Sequence, residues 1–163
     1  MKGIRILCVG RIKEDHFNEG IAFYQKMIRR SFPMEILKVA DEPTPDKASP
    51  AMEEEIRRTE GRRLLSRIRE DDHVVALCID GKQYDSDSWE KRLRRQTETT
   101  EGWLVFVIGG SLGLSRELLA RADDRISFSA MTFPHQMMRM ILCGQIALAL
   151  SGSRDEKGDR IAR

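Results

Sequence analysis

Leu104-Val-Phe-Val-Ile-Gly-Gly-Ser-Leu-Gly-Leu-Ser115 is an apolar run that breaks into a glycine-rich turn and restarts as a helix. Gly109, Gly110 and Gly113 lack a Cβ atom, so backbone N–H groups in this turn can come close to a bound molecule. The spacing Gly-Gly-x-x-Gly matches neither of the common phosphate-binding loops, which end in Gly-Lys-Ser/Thr or read Gly-x-Gly-x-x-Gly. The stretch predicts an α/β fold with a ligand site where this strand passes into a helix.

A second loop of similar character follows the next predicted strand. It runs Ser127-Phe-Ser-Ala-Met-Thr-Phe-Pro-His135 and again opens a helix. Two such loops, close in sequence and each at the end of a strand, indicate one shared pocket.

Hydrophobic periodicity divides the whole chain into five units, each a strand followed by a helix. The predicted strands lie at residues 2–9, 34–39, 73–79, 103–108 and 125–129, and the third is a nearly continuous apolar run. The predicted helices cover residues 17–28, 50–70, 87–99, 115–122 and 134–150, and the third opens with a capping box at Asp87 and Glu90. Strands that are apolar on both faces predict the α/β class, with a mostly parallel sheet and helices on both of its faces. Ligands of such sheets bind at the carboxyl ends of strands, here residues 77–82, 108–113 and 128–133.

The size and composition of the chain favour one folded domain. Its 163 residues suffice for a sizeable core, and we assign residues 1–150 to the domain and residues 151–163 to a polar tail. No apolar run approaches the ~20 residues that span a bilayer, so membrane insertion is not expected. Cys8, Cys78 and Cys143 lie among apolar neighbours and are interpreted as buried thiols of a cytoplasmic protein. The spacing of cysteines and histidines matches no zinc site, so no metal is expected.

Basic residues occur in clusters, although the net charge is only +2. An RNA-binding surface is recognised by such clustering rather than by total charge. The clusters lie at residues 57–69, 91–95 and 116–139. Three glutamates at positions 53–55 precede the first cluster, which is also what a solvated helix face with internal ion pairs would show. Both interpretations remain open from the sequence.

Three motifs taken together resemble one known family. They are Leu77-x-x-x-Gly81-Lys82, Ile108-Gly109-Gly110-x-x-Gly113-Leu114-Ser115 and Phe128-Ser129-Ala130-Met131-Thr132-Phe133-Pro134-His135-x-x-x-Arg139. In this order they are similar to the RlmH family of SPOUT methyltransferases, which methylate N3 of a pseudouridine in 23S ribosomal RNA. The resemblance extends from the first strand to about Ile146.

This resemblance implies properties that residue patterns alone do not. They are a C-terminal part tied in a deep trefoil knot, a cytoplasmic homodimer, S-adenosylmethionine as the methyl donor, and 23S rRNA in the ribosome as the partner. The cofactor-binding positions that it implies are Leu77, Gly109, Gly110, Phe128, Ser129, Ala130, Met131, Thr132 and Phe133. We also expect an apolar face of the last helix to pack against a second copy through Met137, Ile141, Ile146 and Leu150.

Two residues of the third motif are the catalytic candidates. Methylation at N3 of a pseudouridine requires loss of its proton, and His135 is a suitable base because the ordinary pKa of histidine is about 6.5. The same side chain could instead cap the helix or hydrogen-bond to the sheet. Arg139 lies one turn further, where it could contact an RNA phosphate or pair with an acidic residue across the dimer.

The end of the chain departs from the family pattern. The family's last helix continues with tyrosine and arginine after the position of Ile146, whereas this chain has Ala147 and Leu148 and no Tyr or His in residues 151–163. The resemblance implies a tail that contacts the target nucleotide. Two functions therefore remain open: an S-adenosylmethionine-dependent rRNA methyltransferase, and a homologue that binds cofactor and RNA without turnover. A nucleotide-binding enzyme that uses the glycine loop for phosphate is a third alternative.

Overall fold

Five strands form one sheet, and the most apolar of them are buried between two layers of helices. They are β1 (Gly3–Val9), β2 (Met34–Val39), β3 (His73–Lys82), β4 (Trp103–Ile108) and β5 (Asp124–Ile126). The structure is a computed structural model that describes residues 1–151. Every residue of β1 is buried, and all four strand pairs found among the described residues are parallel. The predicted parallel α/β sheet is confirmed.

Helices cover both faces of this sheet, as predicted. They are α1 (Asp15–Ile28), α2 (Pro50–Leu65), α3 (Ser86–Thr99), α4 (Arg116–Arg121) and α5 (His135–Ser151). Neighbouring residues of β4 point to opposite faces, so Phe106 packs with α1, α3 and α5 while Val105 packs with α2 and α4. Beyond Ser151, the last residue of α5, the predicted polar tail lies outside the described residues.

The strand order β2-β1-β4-β3-β5 positions the ligand edge. β3 lies between β4 and β5, so the connection from β4 to β5 must cross β3. The carboxyl ends of these three strands therefore lie side by side, next to a reversal in strand order. Such reversals are where parallel sheets open a crevice for a ligand.

α2 ends at Leu65, earlier than the predicted end near Glu70. The buried carboxylate of Asp72 accepts the backbone N–H of Arg69 at 2.9 Å and that of Trp103 at 2.8 Å. These hydrogen bonds hold the segment before β3 in a turn and connect it to β4. After Leu65 the N–H groups of Arg67 and Ile68 donate to carbonyls three residues back and that of Arg69 donates to Asp72, so the α-helical hydrogen bonding ends there.

α3 begins at Ser86, and its N-cap is Asp85. The Asp85 carboxylate accepts the backbone N–H of Ser88 at 2.7 Å, as a side-chain cap does. Asp87 lies inside the first turn, so the predicted capping box at Asp87 and Glu90 is wrong.

β3 is longer than predicted because its end is irregular. Leu77 and Lys82 both pair with Ile126, so residues 78–81 leave the regular ladder before the strand resumes. The predicted end at Ile79 is therefore too early. The irregularity displaces backbone toward the ligand edge.

β5 is shorter than the predicted strand over residues 125–129, since it ends at Ile126. The Ser127 hydroxyl donates to the carbonyl of Ser129 at 2.8 Å, and the Ser129 hydroxyl accepts the N–H of Met131 at 3.0 Å. Both contacts are local hydrogen bonds that curl the backbone out of the sheet. Residues 127–134 consequently form a loop at the ligand edge.

Candidate functional site

A cleft of about 760 Å³ opens at the carboxyl ends of β3, β4 and β5. Its volume falls within the range of roughly 300–1,000 Å³ that is usual for small-molecule sites. The predicted site residues that line it are Leu77, Gly109, Gly110, Phe128, Ser129, Met131, Thr132, Phe133 and His135. Ala130 lies exposed in the same loop without lining the cleft, and Arg139 is also absent from its walls. The two loops thus share one cleft, and their roles in binding remain predictions.

The glycine loop, residues 108–114, forms one wall of the cleft as a tight turn. The N–H of Gly113 donates to the carbonyl of Gly110 at 3.1 Å, and Gly113 has a φ of +82°, which favours glycine. A Cβ atom at Gly109 would lie 2.8 Å from the carbonyl carbon of Gly113, closer than packed atoms allow. This turn therefore requires glycine at both positions before any ligand is considered.

The second loop, residues 127–134, forms the opposite wall. The N–H of Ser127 donates to the carbonyl of Lys82 at 3.0 Å, which ties the loop to the end of β3. The ring of Phe128 meets Trp89 of α3 edge-on, with centroids 5.8 Å apart. Met131 is 71% exposed at the loop tip. The loop is anchored at its base and presents an apolar side chain at the cleft.

His135 begins α5 and lines the cleft. Burial and the neighbouring charge of Arg139 lower its pKa below the ordinary value, and these effects outweigh the opposing influence of Asp41 and Glu14. The imidazole is therefore neutral at pH 7 and can accept a proton, as a general base must.

Arg139 is fully enclosed, with 1% of its surface exposed. Its guanidinium donates to the carbonyl of Gly10 at 2.9 Å and to the carbonyl of Val9. In the described chain it therefore contacts neither an acidic side chain nor the cleft. Arg139 holds the end of β1 from behind the site, a contact that the sequence did not suggest.

Glu60 is a site-adjacent residue that sequence analysis did not single out. It lies in α2 with 5% of its surface exposed, and its Oε1 accepts the backbone N–H of Glu42 at 3.0 Å. Burial raises the pKa of its carboxyl group. The neighbouring Gly61 could have drawn attention to this position in the sequence, because a glycine inside a helix often marks close packing. In the structure, Gly61 packs against Ser115.

Half of the lysines and arginines in the predicted basic clusters, seven of fourteen, are paired with carboxylates of the same chain. Arginines of the cluster at residues 57–69 pair along α2 and with neighbouring elements, which supports the interpretation as a solvated helix face. The pairs in these clusters are Arg57–Glu54, Arg58–Glu117, Arg62–Glu55, Arg63–Glu42, Arg92–Asp124, Arg94–Glu90 and Arg121–Asp123.

The three cysteines are free thiols, and two of them are buried as predicted. Cys8 and Cys143 lie in the core, where burial raises the pKa of Cys143 to about 12. Cys78 is only half-buried, because it lines the cleft, and its pKa is raised to about 11 by burial and by Asp80. All three are therefore protonated at neutral pH.

Two further findings concern the described residues only. Within residues 1–151, no three His, Cys, Asp or Glu side chains are grouped as metal ligands would be. None of the helices over the same residues has the length and apolar character needed to cross a bilayer.

Comparison with known protein families agrees with this geometry. Residues 1–154 match the family model described as predicted SPOUT methyltransferase, which includes both loops of the cleft and all the elements that position them. The chain belongs to the SPOUT methyltransferase family. Membership makes it an enzyme that transfers a methyl group, and a SPOUT methyltransferase needs a methyl donor.

Several relatives of this SPOUT chain share one name. This chain is 44% identical over 153 residues to the ribosomal RNA large subunit methyltransferase H of Exiguobacterium sibiricum, and the match covers 94% of this chain and 96% of that protein. Proteins of the same name from Lactobacillus delbrueckii subsp. bulgaricus and Streptococcus uberis are 44% and 46% identical over 143 residues, covering 88% of this chain and 90% of each relative. The resemblance to the RlmH family is confirmed.

Proposed function

We propose that this protein is an S-adenosylmethionine-dependent methyltransferase that modifies N3 of a pseudouridine in 23S ribosomal RNA, in the cytoplasm. One observation carries the proposal. Two motif loops that follow different strands line one cleft, and a neutral histidine lines the same cleft. The names of the relatives supply ribosomal RNA as the substrate class. The trefoil knot is part of the same proposal.

The cleft suits S-adenosylmethionine by its shape and lining. Leu77, Leu112, Met131 and Phe133 offer apolar surfaces for an adenine ring, while the glycine loop offers backbone groups without obstructing side chains. The donor supplies an activated methyl group on its sulfonium. The protein's contribution is then to hold donor and acceptor in line, which by itself lowers the barrier substantially.

We also propose a homodimer, through an interface that differs from the one predicted from the sequence. Ile146 is fully buried in its own subunit's core, so it cannot contact a second copy as predicted. Leu150 also packs partly against this core. α1 lies beside α5 and carries Phe23, which is 54% exposed. The exposed phenyl ring supports an interface through α1 and the adjoining surface of α5.

Contacts to RNA need basic groups that are not already paired. Arg11 and Lys13 lie exposed between β1 and α1, and no ion pair within residues 1–151 engages them. The preceding residue, Gly10, is held by Arg139. We therefore propose this loop as a phosphate contact beside the cleft.

The test of the proposed function is methyl transfer to its substrate. The purified protein, given radiolabelled S-adenosylmethionine and ribosomes that lack the modification, should label 23S rRNA at a single pseudouridine. S-adenosylhomocysteine binding without labelling would favour the alternative, a homologue without turnover, which the replacement of tyrosine and arginine by Ala147 and Leu148 supports. Absence of both binding and labelling would contradict the proposal.

A second prediction concerns the catalytic base. His135→Gln should lower kcat by about 100-fold, since a general base contributes typically 10²–10⁴-fold. Because the pKa of His135 is lowered, the unmodified enzyme should keep full activity above pH 6.5 and lose it at lower pH as the imidazole becomes protonated. His135→Gln should lack this acid limb. His16→Gln, at an exposed position of α1, is the matched control. An unchanged acid limb in His135→Gln would assign the base elsewhere.

A further inference from the structure

A buried carboxylate lies directly behind the glycine loop. A Cβ atom built on Gly110 would be 3.0 Å from Oε2 of Glu60 and 3.3 Å from a methyl group of Val9. Gly110 itself lines the cleft, whereas Glu60 does not. The backbone of one residue therefore separates the carboxylate from the space that a ligand would occupy.

The charge of Glu60 has no directly bonded basic partner among the described residues. Arg63, on the same helix, binds Glu42 and donates to the carbonyl of Ala40 at 3.0 Å. The charges of Asp41 and Glu42, on the loop before α2, oppose ionisation of Glu60, whereas the Glu42 N–H and the charge of Arg63 favour it. β1 contributes the apolar Val9, and the glycine loop has no ionisable side chain. The N–H of Glu42 is the hydrogen-bond donor that the structure provides to the carboxylate.

A charge in this position acts selectively on charged ligands. S-adenosylmethionine carries a positive sulfonium, whereas S-adenosylhomocysteine, the product after methyl transfer, has a neutral thioether and is otherwise the same molecule. Coulomb interactions are much stronger behind buried backbone than in water. We propose that Glu60 makes the cleft prefer the sulfonium donor over its thioether product, so that the product is released after transfer; this inference rests on the proposed function.

Calorimetric titration with each ligand tests this role. Glu60→Gln keeps an oxygen to accept the Glu42 N–H but removes the charge. It should weaken S-adenosylmethionine binding by about fivefold or more and change S-adenosylhomocysteine binding by less than about twofold, because only the former is charged at sulfur. Glu54→Gln, which removes the same charge from a partly exposed position of α2, should leave both affinities unchanged.

The outcomes separate this inference from the proposed function. If the unmodified protein binds neither ligand, the proposed function fails. If it binds both and Glu60→Gln weakens both equally, Glu60 has only a structural role and the inference is overturned.

If the Glu60→Gln protein does not fold, the inference can be tested on a protein that keeps Glu60. In a His135→Gln background, which removes the other group that titrates at the cleft, the preference for S-adenosylmethionine should decline as the pH falls and Glu60 becomes protonated. A ratio of the two affinities that stays constant down to the lowest pH at which the protein remains folded would overturn the inference.

Discussion

Replacing Arg139 by methionine should lower the free energy of unfolding by about 4 kcal/mol, because one buried and one half-buried carbonyl group would each lose a donor at roughly 1–3 kcal/mol. These carbonyls belong to Val9 and Gly10 at the end of β1, and the side chain that serves them is 1% exposed. Methionine fills similar space without donating a hydrogen bond. Urea denaturation followed by circular dichroism measures the difference, with Arg116→Met on the surface of α4 as the control.

The Arg139→Met substitution also distinguishes the carbonyl contacts seen in the structure from the RNA-phosphate contact considered from the sequence. A residue that served only to bind an RNA phosphate would be replaceable with little change in stability. A loss below about 1 kcal/mol, combined with weakened RNA binding, would therefore show that Arg139 leaves its carbonyl partners to act on the substrate.

Gly109→Ala should weaken binding of S-adenosylhomocysteine by at least about 2 kcal/mol, or roughly 30-fold in Kd. The added Cβ would meet the carbonyl carbon of Gly113 at 2.8 Å and its oxygen at 2.9 Å. Both are backbone atoms, so the clash can be relieved only by moving the turn that forms one wall of the cleft. Calorimetry measures the affinity.

Ser31→Ala is the control for this substitution, because Ser31 lies exposed and outside the cleft. Its affinity should equal that of the unmodified protein. Thermal unfolding by circular dichroism must show that Gly109→Ala retains its fold. A folded Gly109→Ala protein with unchanged affinity would mean that the glycine loop does not bind the donor.

Much of the architecture was predictable because its causes are local. β4 reads as an unbroken apolar run and β1 as one interrupted by Arg5, and such runs predict strands buried on both faces. Element ends were less predictable where they depend on distant groups. After α2 the N–H of Arg69 donates to Asp72, and Asp72 in turn accepts the N–H of Trp103, which lies 31 residues beyond it in the chain.

The candidate site shows the same division. The two loops were predicted to meet because parallel strands end at one edge, and the structure places them around one cleft. Gly110 was explained from sequence as space for a ligand. In the structure, the space beside its Cα is filled by Glu60 and Val9, so the residue also separates a buried charge from the cleft.

The sequence by itself determined the α/β class, the two loops at strand ends and the family, since each depends on residue types at short, regular spacing. Only the tertiary structure decided that Arg139 supports a carbonyl 129 residues away, that Ile146 belongs to its own core, and that Glu60 lies behind Gly110. The physical reason is that side-chain partners across a fold depend on which helix covers which strand. That arrangement results from packing of the whole core and leaves no local pattern in the chain.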